Sequence, residues 1–417
     1  MGGVFANFPD YQKHSMVIQD LVTHQWPVVY HEKETAILTY YYGQYLIPSL
    51  FGKLMNSTIV AELSMGVFGW VGVLLLYLNL LFATDANNRK KQIWLFFLFI
   101  LFSGMLMPLQ IASQMKTILH EGLHLHSLNP HWFNWNLQYR STLTAIKWVY
   151  PQYIIPGIGA ILVYWNKDSF NNMALFILPS FICGTWGFLC LVIMILLMYV
   201  ITCIKQKRLI LEIFSVQNVL TVFVGSVFLA YFIGNLMNEK PDYMKLHLMT
   251  NPKYYVMAAL PFGLFMFGFY VLLIWKQYKN DALFLSVVIV LTLIPCFKMG
   301  WYNDFVMCTS MPALFILSMY IFKFIFDSNL NLKFVKQRKI TLCFCLLLAC
   351  TSPLKELELS LNSLPYRASL PLRTFLPKRT LSCYVGHEAD VEDECMKYNY
   401  FAYDFENTFF YKYLARK

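Results

Sequence analysis

MALFILPSFICGTWGFLCLVIMILLMYVITC, residues 173–203, carries no charged side chain over 31 positions. A helix crosses a bilayer with about 20 apolar residues, so this run is longer than one span requires. Pro179, Gly184 and Gly187 interrupt it, and proline and glycine are where helices break. The run predicts a hairpin of two short or tilted helices with its tip near 180–187.

Outward from this hairpin, further apolar runs occupy 59–83, 92–113, 146–165, 214–236, 254–275, 282–299, 305–327 and, more briefly, 340–353. Basic residues collect between them, at Arg89-Lys90-Lys91, Lys205/Lys207/Arg208, Lys276/Lys279 and Lys333/Lys336/Arg338/Lys339. Cytoplasmic loops carry the excess of Lys and Arg, so all four connectors are expected inside. Lys167 is then inside as well, and 173–203 must start and finish inside, which a hairpin satisfies. With that parity the loops 1–35, 114–145, 237–253 and 300–304 and a tail from 354 fall outside. The stretch 37–54, ILTYYYGQYLIPSLFGKL, would break the parity as a span. Its tyrosines suit the membrane boundary, so an interfacial helix on the outer leaflet is expected. Residues 1–35 have no signal peptide before them, which predicts an exporting helix upstream of Met1.

The whole composition agrees. Of 417 residues, 58% are hydrophobic and only 13% charged, with mean hydropathy +0.50. A soluble domain carries about 25% charged residues, so a disordered chain is excluded and the composition weighs against a soluble enzyme. The net charge of +10 belongs to the cytoplasmic loops and predicts no nucleic-acid partner. The fold class expected is all-α and polytopic, with about ten transmembrane helices. Its parts would be an external first loop and interfacial helix (1–58), a transmembrane domain (59–353) and an external tail (354–417). Most cysteines lie in apolar runs as small packing residues. Cys383 and Cys395 share the polar tail and are expected to be able to pair on an oxidising outer face.

The conspicuous polar residues all gather on the outer side: Asp10 and His14, His120-Glu121 with His124, Arg140, Lys298, and Asn303-Asp304. A transporter places such groups near the bilayer midplane. Here they form an external chamber on an apolar pedestal. No P-loop, GxGxxG or GxSxG occurs, so nucleotide-driven transport lacks support.

The order NFPDYQKHSMVIQDLVTHQWPVVY, then YYYGQYLIPSLFGKLM, then an apolar span and a basic turn resembles the first outer loop and juxtamembrane helix of GT-C-type membrane glycosyltransferases. WVYPQYIIPG, YNDFVMCTSMPALF and FFYKYLARK resemble a bacterial branch of GT-C-like proteins. That branch carries Arg where this chain has Cys308. The resemblance implies sugar transfer from a polyprenyl-phosphate donor to an extracytoplasmic glycan, lipid or protein acceptor. It also implies an integral protein of the cytoplasmic (inner) membrane with its active face outside, among membrane lipids.

In that pattern an early outer acid is the catalytic base, which falls on Asp10. A helix N-cap explains the same aspartate equally well. His14, one turn on, shares its face and is a substrate-binding candidate. Arg140 and Lys298 are candidates to stabilise the departing phosphate, against the alternative of snorkelling cations. Asn303 and Asp304 could hold a cation, pair with Lys298 or cap the following helix. His120-Glu121-Gly122-Leu123-His124 spells H-E-x-x-H, a zinc pattern when helical. Gly122 and Asn129-Pro130 weaken such a helix, and headgroup contacts explain the histidines as well. A divalent metal there is the one cofactor in view. The rival functions are a lipid-linked glycan flippase and a membrane metalloprotease.

Overall fold

The structure, a computed structural model, describes residues 9–84, 86–121, 128–129, 131–236, 238, 240–327, 333–368, 380–385 and 397–415. Helices dominate. They are α1 (Pro9–Thr23), α2 (Gly43–Leu54), α3 (Thr58–Ala83), α4 (Arg89–Ile100), α5 (Leu106–Ser113), α6 (Met115–Glu121), α7 (Thr142–Trp148) and α8 (Tyr150–Trp165). After these come α9 (Met173–Cys183), α10 (Thr185–Gln206), α11 (Val216–Leu236), α12 (Pro252–Tyr278), α13 (Ala282–Leu293), α14 (Asp304–Phe326), α15 (Lys333–Ala349) and α16 (Thr351–Ala368). Side-chain caps fix several starts. Ser57 accepts the Val60 amide at 3.4 Å, Asn88 that of Lys91 at 2.9 Å, and Asp281 those of Leu283 and Phe284. Each satisfies an amide that a helix start leaves open.

Among the described residues six helices are long and apolar enough to cross a membrane: α3, α10, α11, α12, α14 and a helix over Phe334–Asn362. The chain is therefore an integral membrane protein by length and composition. Six, rather than about ten, reach spanning length, because several expected spans divide. The run 92–113 becomes α4 and α5, with irregular backbone at 102–105. Met105 there donates its amide to Phe265 O at 3.1 Å, inside a π-helical stretch Leu264–Gly268 of α12. Non-helical backbone at membrane depth is tolerated where protein satisfies it. A Cβ at Gly104 would stand 2.6 Å from the Met266 Cα, so the close approach depends on glycine. The run 146–165 divides at Val149, just ahead of Tyr150-Pro151, where proline disfavours a continuous helix. The run 282–299 ends its helix at Leu293 and passes through Pro295 into a strand. Conversely, 340–353 lengthens into α15 and α16, and position 354 lies inside α16 rather than at a boundary.

The hairpin forms as the 173–203 sequence requires. Gly184 separates α9 from α10, and the two run antiparallel. Phe181 meets Phe188 near the tip at 4.9 Å between rings, and Phe170 meets Tyr199 at the open end at 5.5 Å. The open end brings the basic connectors together: Lys167 pairs with Asp281, and Lys205 Nζ donates to Asn280 O at 2.8 Å. Trp165 bonds Asn79, Tyr77 bonds the Gln92 carbonyl, and Lys339 bonds the Asp327 carbonyl. These contacts place the turns after α3, α8, α10, α12 and α14 at one end.

The opposite end is built from α1, α2 and a small sheet. The expected helix over 37–54 begins only at Gly43. Thr35–Leu38 is instead a strand (β2) between Val29–His31 (β1) and Phe401–Ala402 (β5), antiparallel to both. The strand wins because partners on both sides take up its backbone groups. The C-terminal segment thus returns onto the first loop. A second ribbon pairs His247–Leu248 (β3) with Phe297–Lys298 (β4). Helix α14 is the central post, with its whole apolar window buried, whereas 17% of that of α11 is. Leu220, Val222 and Phe223 of α11 present an exposed apolar face suited to lipid.

Candidate functional site

A polar seam runs through the end that carries α1 and α2. It begins on α1, whose helix starts at Pro9, so Asp10 sits in the first turn, where the helix dipole favours an acid. The Asp10 side chain lies outside the described residues. His14 is one turn on. Its Nδ1 is 2.7 Å from Tyr45 Oη, and its ring lies 6.1 Å from that of Tyr40. Tyr40 stacks on Tyr400 at 3.9 Å and touches Tyr41 at 3.7 Å. Burial, first of all, pushes the Tyr41 phenol above its ordinary value, and the nearby Cys308 thiol and Asp304 carboxylate add to it. Tyr41 therefore stays a neutral donor, next to Gln152 of α8.

The middle of the seam is the turn before α14. Gly300 and Asn303 take positive φ, 82° and 57°. Glycine adopts that conformation freely and asparagine tolerates it. Asn303 is 1% exposed and accepts the Met299 amide at 3.3 Å, so it holds the turn together. Asp304 follows in the first turn of α14 and is exposed. Its carboxylate lies so close to Gly300 that a Cβ there would stand 2.6 Å from Oδ2.

Beyond Asp304 the seam becomes cationic. Arg140 Nε lies 3.1 Å from Met307 Sδ, and its Nη1 is 2.7 Å from His131 Nδ1. Both Arg140 and Asp304 act electrostatically on Cys308. The guanidinium thus comes from another loop to the neighbourhood of Cys308. His131 Nε2 faces Glu356 Oε2 at 3.5 Å. That oxygen accepts no hydrogen bond within the protein, so the two groups face each other without a formed bond. Glu356 Oε1 pairs with Lys147 and accepts Trp148 Nε1–H at 3.0 Å, while Lys147 also reaches Ser360 Oγ at 2.8 Å. Burial, then Arg140, push the His131 imidazole down to about 4, with Glu356 opposing. A neutral His131 takes the Arg140 proton donor on Nδ1 and turns Nε2–H toward Glu356. Arg140, Lys147, Glu356 and neutral His131 together sum to one positive charge.

Several buried polar atoms along these elements have no hydrogen-bond partner: both side-chain ends of Gln44, Gln152 Nε2, Thr309 Oγ1 and Gln138 Oε1. Each such atom costs about 1–3 kcal/mol. Their gathering on α2, α8, α14 and the 131–141 loop suits a polar guest.

The fold thus brings His14, Arg140 and Asp304 into one seam and gives Asn303 a structural part in it. Lys298 lies in β4, on the wall of a separate pocket beside Gly300. His120 is exposed at the end of α6, while the Glu121 side chain and His124 lie outside the described residues. Among the described residues no group of three or more His, Cys, Asp or Glu could hold a metal ion. Cys383 sits in a turn at Leu381–Tyr384, and Cys395 lies outside the described residues.

Sequence reasoning missed His131, Tyr41, Gln152 and Glu356. Glu356 had a signal: an acid so near a span end is costly unless paired. The rest carry none, because their role comes from tertiary neighbours: Glu356 faces His131 from 225 positions away, and Tyr41 and Gln152 meet across 111. No protein-family model matches the chain, and neither a curated protein nor a solved structure matches it.

Proposed function

We propose that this protein transfers a sugar from a polyprenyl-phosphate donor to an extracytoplasmic acceptor. The observation that carries the reading is the seam, in which helix α1, the start of α14 and the 131–141 loop bring His14, Asp304 and Arg140 together at the end opposite the basic connectors. With those connectors cytoplasmic, the seam faces outward at the depth of lipid headgroups. Asp10, on the helix that carries His14, is the general base. It takes the acceptor hydroxyl's proton as oxygen attacks the anomeric carbon and the carbon–oxygen bond to phosphate breaks. The electron pair leaves with the phosphate. Arg140, held by neutral His131, meets that developing charge, and a guanidinium suits phosphate by its planar fork of donors. Asp304 orients the acceptor or a divalent ion.

The test supplies polyprenyl-phosphate sugars to the detergent-purified full chain and measures free polyprenyl phosphate. Release that disappears in Asp10→Asn and in Arg140→Ala is expected. Equal release from wild type and both variants would sink the assignment. Flipping of an unaltered lipid-linked glycan, without release, would favour the transporter.

A further inference from the structure

A cavity of about 690 Å³ opens beside the seam, lined by Asn136, Asp242, Tyr243, His247, Lys298 and Trp301 around Gly300. Small-molecule sites commonly measure about 300–1,000 Å³. Three segments distant in sequence build it, and backbone bonds lock them. Strands β3 and β4 pair His247 with Lys298, and Gly300 donates its amide to Tyr243 O at 2.9 Å. Asn136 Nδ2 donates to Trp301 O at 3.1 Å. The walls are therefore set before any ligand arrives, which lowers the ordering cost of binding.

The chemistry of the walls is specific. Trp301 is 57% exposed, and the Tyr243 ring braces it edge-on at 6.0 Å. Around that aromatic plate stand a carboxylate, an ammonium group, an imidazole and an amide. The Asp242 side chain is 82% exposed, and His247 Nε2 bonds the Asp242 carbonyl at 2.8 Å. An apolar ring face edged by donors and acceptors complements a pyranose, which has one C–H face and a rim of hydroxyls. Gly300 is shared. It lines this cavity and lies against the Asp304 carboxylate.

We propose that this cavity binds a pyranose unit of a glycan chain, stacked on Trp301 with its hydroxyls taken by Asp242 and Lys298. The inference builds on the glycosyl-transfer reading by making the acceptor a glycan rather than a protein or a lipid. The acceptor sugar then rests across Gly300 from the Asp304 carboxylate, with its chain running out to solvent.

The test is a binding measurement that needs no donor lipid, so it can fail while transfer stands, and the reverse. Saturation-transfer NMR on the detergent-purified full chain would use maltopentaose, chitopentaose and pentagalacturonate as probes. At least one should receive saturation, strongest on ring C–H protons. Trp301→Ala should weaken it by about tenfold or more, as loss of an anchoring aromatic does. Trp301→Phe should retain most of it, and Asp242→Asn should weaken it. No saturation of any probe by wild type, or equal saturation by Trp301→Ala, would overturn the proposal.

Discussion

Replacing Glu356 with alanine tests whether the cationic half of the seam is one coupled unit. Glu356 is 1% exposed, and its partner Lys147 has a side chain only 12% exposed. Removing one partner of a buried pair costs about 3–5 kcal/mol, because the remaining charge stays desolvated. Trp148 Nε1 also loses its acceptor at 3.0 Å. At about 2 °C per kcal/mol for a large domain, Glu356→Ala should melt roughly 6–10 °C below wild type in detergent. Lys147→Met alone should cost a similar amount. The double variant Lys147→Met/Glu356→Leu should recover much of the loss, since apolar replacement of both partners is often neutral. Scanning fluorimetry of the four proteins at one detergent concentration gives the cycle. Strictly additive losses, or a Glu356→Ala melt within about 1 °C of wild type, would refute the coupling.

Other perturbations follow from the same geometry. Asp10→Asn should leave melting nearly unchanged and reduce transfer by roughly 10²–10⁴-fold, whereas His120→Ala and His124→Ala should retain most of it; the reverse pattern would move a metal site into first place. The folded value of His131 lies below 6.5 because burial opposes its charge, so between the two values the unfolded chain holds more protons and stability rises with pH. Wild type should therefore lose stability as pH falls from about 6.5 toward 4, and His131→Asn should flatten that slope in melts across the range. Gly300→Ala places a Cβ 2.6 Å from Asp304 Oδ2 at a φ of 82°, so a stability loss of about 1–3 kcal/mol and weakened transfer are expected together. Asp20, fully buried, accepts Tyr30 Oη–H at 2.8 Å and the Leu381 amide at 3.0 Å; Asp20→Ala should speed limited proteolysis near 380–385, and unchanged cleavage would show that the burial of Leu381 and Val385 alone holds this segment. Cysteines introduced at 182 and 206 should label from opposite sides of the membrane, and external labelling at 206 would overturn the proposed outward orientation of the seam.

Local chemistry determined the pedestal. Long apolar runs set which segments suit a membrane, and the glycine at 184 set where 173–203 turns back, because helix propensity and hydropathy act over a few neighbouring residues. The basic turns gathered at one end as their parity required. The chemistry of the seam was legible only in pieces: the sequence marked His14, Arg140 and Asp304, yet nothing local joined them. Tertiary structure decided the rest. The 37–54 stretch divides into strand and helix because β1 and β5 offer it hydrogen bonds from 29–31 and 401–402. The 92–113 run breaks because a π-helical carbonyl at Phe265 receives the Met105 amide. Glu356, which falls in the expected external tail, is buried against Lys147 and His131 from more than 200 positions away. A buried charge takes its role from its partner, and partners so distant in sequence are chosen by packing, which no local pattern encodes.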